Sequence, residues 1–268
     1  LAFCGSWTAE QSESIKSQFT FDWSDAEPNS WTEAMNSNAS SDWKRLIHFG
    51  EQYGSHFLGP TLEGASTGSG AIGYYWRYQL KKYLTEKIIN QYEWFVITRS
   101  DWLWKIPHPD ISMLDKDKIY VLSGDSYGGV NDRHLLVSQK YIRQILKIPD
   151  FIFLDPLDTE KAFKRMNLEN LNCEQFYKFC LNQLGLIEII TTIPYLGFLV
   201  RQKGSTSRWS WGQYNRKLGV YIKYQSEYDL YKNTQKYIKD QNSWRLYFSN
   251  SEIFQDSRES GIKRKNRY

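Results

Sequence analysis

Cysteine is scarce in this chain, and the three present, Cys4, Cys173 and Cys180, are odd in number and stand in no CxxC or Cys/His ligand spacing. Neither a disulfide framework nor a zinc site is therefore expected, and a reducing compartment suits the chain best. Long apolar runs are missing too: none approaches the roughly 18 residues of a membrane-spanning helix. The opening LAFCGSW lacks the charged region and cleavage site of a secretory leader, so a soluble, cytoplasmic protein is expected. The single sequon, Asn38-Ala39-Ser40, is of a kind that commonly arises by chance. Charge of one sign is equally sparse. The 34 basic and 30 acidic residues leave a net charge of +4, part of it in the closing SGIKRKNRY. That is too weak and too local for a nucleic-acid surface, which needs a basic face, but it is compatible with a small phosphate-bearing ligand. The glycines form neither a Walker loop nor GxGxxG.

What the chain has in quantity is aromatic surface: 16% of its 268 residues, with 11 Trp and 19 Tyr against 3 Met. Such side chains serve equally as an aromatic core or as flat platforms for sugars, bases or partner proteins. Hydrophobic residues at 41% and charged residues at 24% are ordinary globular proportions. With no internal repeat and no clear linker, the expectation is a single folded domain of the α/β class.

Residues 1–4 read as a short strand before the turn Gly5-Ser6-Trp7, and AEQSESIKSQF as a helix. FTFDW (19–23) reads as a second strand. The following SDAEPNSWTEAMNSNASSDW, rich in Ser, Asn and Asp, reads as a surface excursion. The glycine-rich 59–73 stretch leads onto a helix expected over 74–91, a place where backbone N–H groups favour anions. Strands are expected at EWFVIT (93–98), KIYVLS (118–123) and HLLVSQ (134–139), with the glycine turn GDSYGGVNDR before the last of them. Helices are expected at KYIRQILKI, at TEKAFKRMN, at NCEQFYKFCLNQ with Asn172 as its N-cap and Gly185 past its end, and at SEYDLYKNTQKYIKDQ. IEIITTI reads as a further strand.

The strand EWFVIT ends abruptly on Thr98-Arg99-Ser100-Asp101. In an open α/β sheet, ligands bind where loops leave the carboxyl ends of strands. An aspartate there can hold a divalent cation, and an arginine can meet a phosphate or orient the aspartate. The alternative is a plain ion pair at a strand end.

YEWFVITRSDWLWKIPHP, followed by LDKDKIYVLSGDSYGGVNDRHLLVSQK, resembles glycosyltransferases of the GT-A superfamily in which a strand ends in Arg-x-Asp and a later glycine turn carries Asn-Asp-Arg. NCEQFYKFCLNQLGL resembles the downstream Asn-x-Glu helix of that family, and LAFCGSW its first nucleotide-binding strand. The resemblance covers about residues 1–210, and in style the chain is similar to the glycan-building transferases of large algal viruses, xylosyl transfer among them. The usual Asp-x-Asp motif is replaced by Arg99-Ser100-Asp101, which leaves one acidic side chain.

The resemblance implies a Rossmann-like nucleotide-binding sheet flanked by helices. Residues 1–100 would mainly bind the nucleotide sugar, 101–215 would carry the metal, catalytic and acceptor groups, and 216–268 would form a helical extension. It also implies metal-assisted and inverting transfer of a sugar from a UDP-sugar to a glycan hydroxyl, with Asp101 holding Mn2+ or Mg2+. For the base that deprotonates the acceptor, the candidates are Asp132, Glu174 and, third, Asp125. Asp132 sits in a Gly-Gly turn that would also suit a plain hairpin, and Glu174 equally complements a helix dipole. Gly5, Ser6, Trp7, Arg77, Arg99, Ser100 and Arg201 are the nucleotide-sugar candidates, with Lys203 and Arg208 beside them. Trp102, Asn131, Arg133, His134 and Trp209 are the acceptor candidates, Trp104 and Trp211 being spaced to accompany the tryptophans.

Overall fold

The computed structural model describes residues 2–5, 21–24, 28–52, 70–168, 171–201 and 213–249. The helix expected at AEQSESIKSQF, the glycine-rich stretch as far as residue 69, and Ser6, Trp7, Lys203, Arg208, Trp209 and Trp211 lie outside the described residues. The chain divides into two compact units whose segments interleave in sequence. The first comprises residues 1–93, 127–130 and 141–187, and the second 94–126, 131–140 and 188–268.

In the first unit, β1 (Ala2–Gly5) and β2 (Phe21–Ser24) pair in parallel, Ala2 opposite Phe21 and Gly5 opposite Ser24. The segment expected to be a surface excursion contains a helix, α1 (Trp31–Asn36). Ser30 caps it by accepting the Glu33 N–H at 3.2 Å, and Met35 is buried. The Ser/Asn richness that suggested irregular chain is here the material of a helix start. α2 (Lys44–Gln52) follows. The helix expected over 74–91 is interrupted: α3 (Ala71–Tyr83) stops at Leu84, and Thr85, extended at ψ 160°, opens the separate turn α4 (Glu86–Ile89).

Further along the chain come α5 (Gln139–Ile145), α6 (Asp150–Phe153), α7 (Pro156–Arg165) and α8 (Cys173–Gln183). α8 begins as the sequence indicates. Asn172 accepts the Gln175 N–H at 2.8 Å while Gln175 accepts the Asn172 N–H at 2.9 Å, a reciprocal capping box. Gly185 follows the helix at φ 69°. The first core is aromatic: Phe163 packs on Phe49, Phe176 and Phe179, with ring centroids 5.5, 6.1 and 4.8 Å away.

The second unit contains two four-stranded sheets. One has the order β3 (Trp94–Thr98), β6 (His134–Ser138), β5 (Ile119–Leu122), β7 (Ile190–Ile193). β6 runs antiparallel to both β3 and β5, while β5 and β7 are parallel. The carboxyl ends of β3, β5 and β7 and the amino end of β6 therefore lie at one edge, where Thr98 faces His134 in register. β5 and β6 are buried along their whole length, as central strands require. β3 is an edge strand with Val96 47% exposed, which explains why an apolar-looking run can finish on charged residues without burying them.

The other sheet is antiparallel, in the order β4 (Trp102–Trp104), β8 (Gly197–Arg201), β10 (Val220–Ile222), β9 (Tyr214–Asn215). None of its strands stands out in the sequence: each is five residues or fewer. α9 (Gln225–Thr234) and α10 (Gln241–Ser249) complete the unit. Its core joins Trp102, Leu122, Leu136, Tyr195, Phe198 and Trp244. Among the described residues, no helix is long and apolar enough to cross a membrane.

Candidate functional site

The turn between β3 and β4 places Arg99 and Asp101 where the sequence puts them, at a strand's carboxyl end. The two side chains grip each other. The Arg99 Nε donates to Asp101 Oδ1 at 2.8 Å and its NH2 group donates to Oδ2 at 2.9 Å, a two-point pair that occupies both carboxylate oxygens. Burial would raise the Asp101 carboxyl, but Arg99, with Lys223 and Arg201 adding to it, holds it below its ordinary value.

This donor set fits a divalent cation poorly. Mn2+ and Mg2+ need several hard oxygen ligands, whereas Asp101 is engaged on both oxygens and the groups acting on it are cationic. The arrangement suits an anion instead.

Around this pair the second unit gathers a charged cluster that includes residues the sequence did not single out. Arg133, just before β6, and Glu227, in the first turn of α9, form a buried ion pair at 2.9 Å, with side chains 8% and 0% exposed. The contact is Coulombic rather than a well-aligned hydrogen bond, since Glu227 Oε1 has no hydrogen-bond partner among the described residues. The other oxygen, Oε2, accepts the Leu199 N–H at 3.0 Å. Burial raises the Glu227 carboxyl to about 7 against the pull of Arg133 and the Leu199 N–H. Lys223, 7% exposed, follows β10, and its N–H donates to Leu199 O at 2.9 Å. Burial, then Arg99 and Arg201, lowers its ammonium to about 7 despite Asp101 and Glu227 nearby. The Tyr224 ring lies under both the Arg133 guanidinium, 5.6 Å from its centroid, and the Lys223 ammonium, 5.2 Å away.

The loop leaving β5 is held in strained backbone. Asp125 and Tyr127 have φ of 44° and 45°, and Gly124 lies at 95°. Left-handed conformations at non-glycine residues persist only when surroundings over-determine them. In the second unit, Asn131 Nδ2 donates to Gly124 O at 3.1 Å and to the Tyr195 hydroxyl at 2.7 Å, and Arg133 donates to Asp125 O at 3.3 Å. Ser226 Oγ donates to Asp125 Oδ2 at 2.6 Å, so this carboxylate faces the start of α9. Asp132 adds to the negative charge around Arg99. Arg99, Asp101, Asp125, Asn131, Asp132, Arg133 and Arg201 are thus all residues of one unit.

Other expected site residues have different surroundings. Trp102 is 5% exposed and stacked on Tyr195, centroids 5.8 Å apart, so its faces serve the core; Trp104, 39% exposed, is the accessible member of that pair. His134 is fully buried, 5.0 Å from the Trp104 ring and 5.5 Å from that of His108. Burial and then His108 push its imidazole down to about 3, so it is neutral and faces inward rather than toward an acceptor. Gly5 lies on β1 in the first unit. Also in that unit, Arg77 stacks between Tyr74 and Tyr177, 5.3 and 5.2 Å from their centroids. Glu174, 8% exposed, lies in the first turn of α8. Gly129 is explained by the same helix: a Cβ there would stand 2.0 Å from the Glu174 carbonyl, whose oxygen accepts the Val130 N–H at 3.0 Å.

Lys223 and Glu227 carry weak signals in VYIKYQSEYDLY. A lysine after three strand residues reads as a solvated strand end, and a glutamate in a helix's first turn as a dipole partner. Only the register of β8 with β10 draws them inward. Comparison of the chain with protein-family models, curated proteins and solved structures finds no match.

Proposed function

We propose that the protein is a nucleotide-sugar-dependent glycosyltransferase of GT-A type, transferring a sugar from a nucleoside diphosphate to an acceptor hydroxyl. The supporting observation is that two cations of the cluster stand outside its ion pairs. Arg99 is matched by Asp101 and Arg133 by Glu227, while Lys223 and Arg201 have no ion-pair partner among the described residues. Two cations outside those ion pairs suit the departing diphosphate, whose developing charge a transferase must stabilise. In this reading Arg99, oriented by Asp101, and Arg201 bind phosphate without a metal step being invoked. Asp125 and Asp132, the two carboxylates carried in the same unit, are the candidates to take the acceptor proton. Trp104 offers the exposed ring on which a sugar can stack. Calorimetry with UDP and a panel of nucleotide sugars, alongside assays for sugar release, tests the reading; a protein that binds no nucleotide is not this enzyme. The second reading is a sugar-binding protein without catalysis. It is favoured by the engagement of both Asp101 oxygens, and it predicts binding to glycans but not to UDP.

A further inference from the structure

Strand register decides the placement of the two unmatched cations. Tyr221 on β10 stands opposite Arg201 on β8, and Ile222 opposite Val200, so the next pair along is Lys223 with Leu199. Residues opposite one another share a face and alternate residues repeat it, which puts Lys223 and Arg201 diagonally adjacent on one side of the sheet. Neither is an ordinary surface cation. Lys223 is 7% exposed, and the Nε of Arg201 is buried with no hydrogen-bond partner among the described residues. A buried cationic group without an acid partner costs the fold stability and is kept where something else supplies the negative charge.

The charged groups acting on Lys223 come from every element around it. Arg99 and Asp101 belong to the turn after β3, Arg201 to β8 and Glu227 to α9; Arg133 shares the Tyr224 ring with it. Asp101 and Glu227 are already committed to Arg99 and Arg133. We propose that Lys223 and Arg201 form a seat for a dianionic phosphate or diphosphate group. Without an anion beside it the amine is crowded by arginines and gives its proton up near neutrality; beside a dianion the charged form is restored. Binding therefore draws a proton from solvent, and the seat's affinity falls as pH rises above neutrality. The inference rests on reading this cluster as an anion site, not on sugar transfer.

Inorganic pyrophosphate is the probe, titrated into the whole chain at pH 6 and pH 8, each in two buffers of different ionisation enthalpy. Proton uptake measured this way should approach one per anion at pH 8 and shrink at pH 6, where Lys223 is already charged. Lys223→Met should weaken binding about 10- to 100-fold, the loss of a charge-assisted contact, and abolish the uptake. Lys223→Arg should retain binding without uptake, which keeps the test decisive if the methionine variant folds poorly. Failure of pyrophosphate to bind, or unchanged affinity and uptake in both variants, would overturn the seat. UDP titrated in parallel separates the sources. Tighter binding than pyrophosphate with the same uptake identifies a nucleotide as the occupant. Binding no tighter than pyrophosphate leaves the anion seat standing and removes the transferase reading.

Discussion

Replacing Glu227 by glutamine sets the cost of burial against the value of the Arg133 pair. The carboxyl is fully buried and its pKa is raised from 4.5 to about 7, burial outweighing Arg133. Between those two values the folded chain holds a proton that the unfolded chain has released. Stability must therefore fall as pH rises through that window, by about 1.4 kcal/mol per pH unit, or roughly 3 kcal/mol in all. Glutamine does not titrate, yet like the protonated acid it keeps one oxygen for the Leu199 N–H. Glu227→Gln is thus expected to match the parent near pH 4.5 and to exceed it by about 3 kcal/mol at pH 8. Loss of one partner from a buried ion pair would ordinarily cost about 3–5 kcal/mol. Here the titration already contains the Arg133 attraction, and the net sign is reversed. Urea denaturation of both proteins at pH 4.5, 6 and 8 reads the difference directly. A variant less stable than the parent at pH 8 would show that the ion pair outweighs its burial and would refute the reasoning.

Lys223→Met should be more stable than the parent at pH 7, because the parent's ammonium, lowered from 10.5 to about 7, gains stability only as pH climbs through that range; denaturation at pH 7 and pH 10 would show the gap closing. Gly129→Ala forces a methyl group to within 2.0 Å of the Glu174 backbone and should destabilise by about 3 kcal/mol or more, measured by the same titration. Asn131→Ala removes the donor shared by Gly124 O and the Tyr195 hydroxyl and should cost about 1–3 kcal/mol, with hydrogen exchange accelerating in residues 123–126. Asp101→Asn breaks a partly exposed pair and should lower stability by no more than about 1 kcal/mol; if the proposed transferase reading holds, it should also cut sugar transfer at least about tenfold, since Arg99 loses its orientation, and undiminished turnover would remove Asp101 from the site.

Much of the helical architecture was legible. The Asn172 cap and Gly185 stop of α8 are local chemistry, fixed by which side chains can reach nearby N–H groups and which residue tolerates a positive φ. The same locality explains the one misreading of this kind, Ser30 to Asn36, where cap residues were mistaken for loop. The strands from Trp94, Ile119 and His134 were equally visible as apolar runs. Arg99 and Asp101 were marked by their position at a strand end, but whether the carboxylate faced a cation or its own neighbour depended on side-chain geometry that spacing leaves open.

The sequence by itself determined the capped helix from Cys173 and the apolar strands from Trp94, Ile119 and His134, because capping, periodicity and turn chemistry act over a few residues. Only the tertiary structure decided which charges are matched. Lys223, Arg201 and Glu227 belong to three elements and meet through the pairing of β8 with β10 and the placement of α9. Long-range register sets both their burial and their neighbours, and burial is what turns ordinary ionisable side chains into groups that titrate near neutrality.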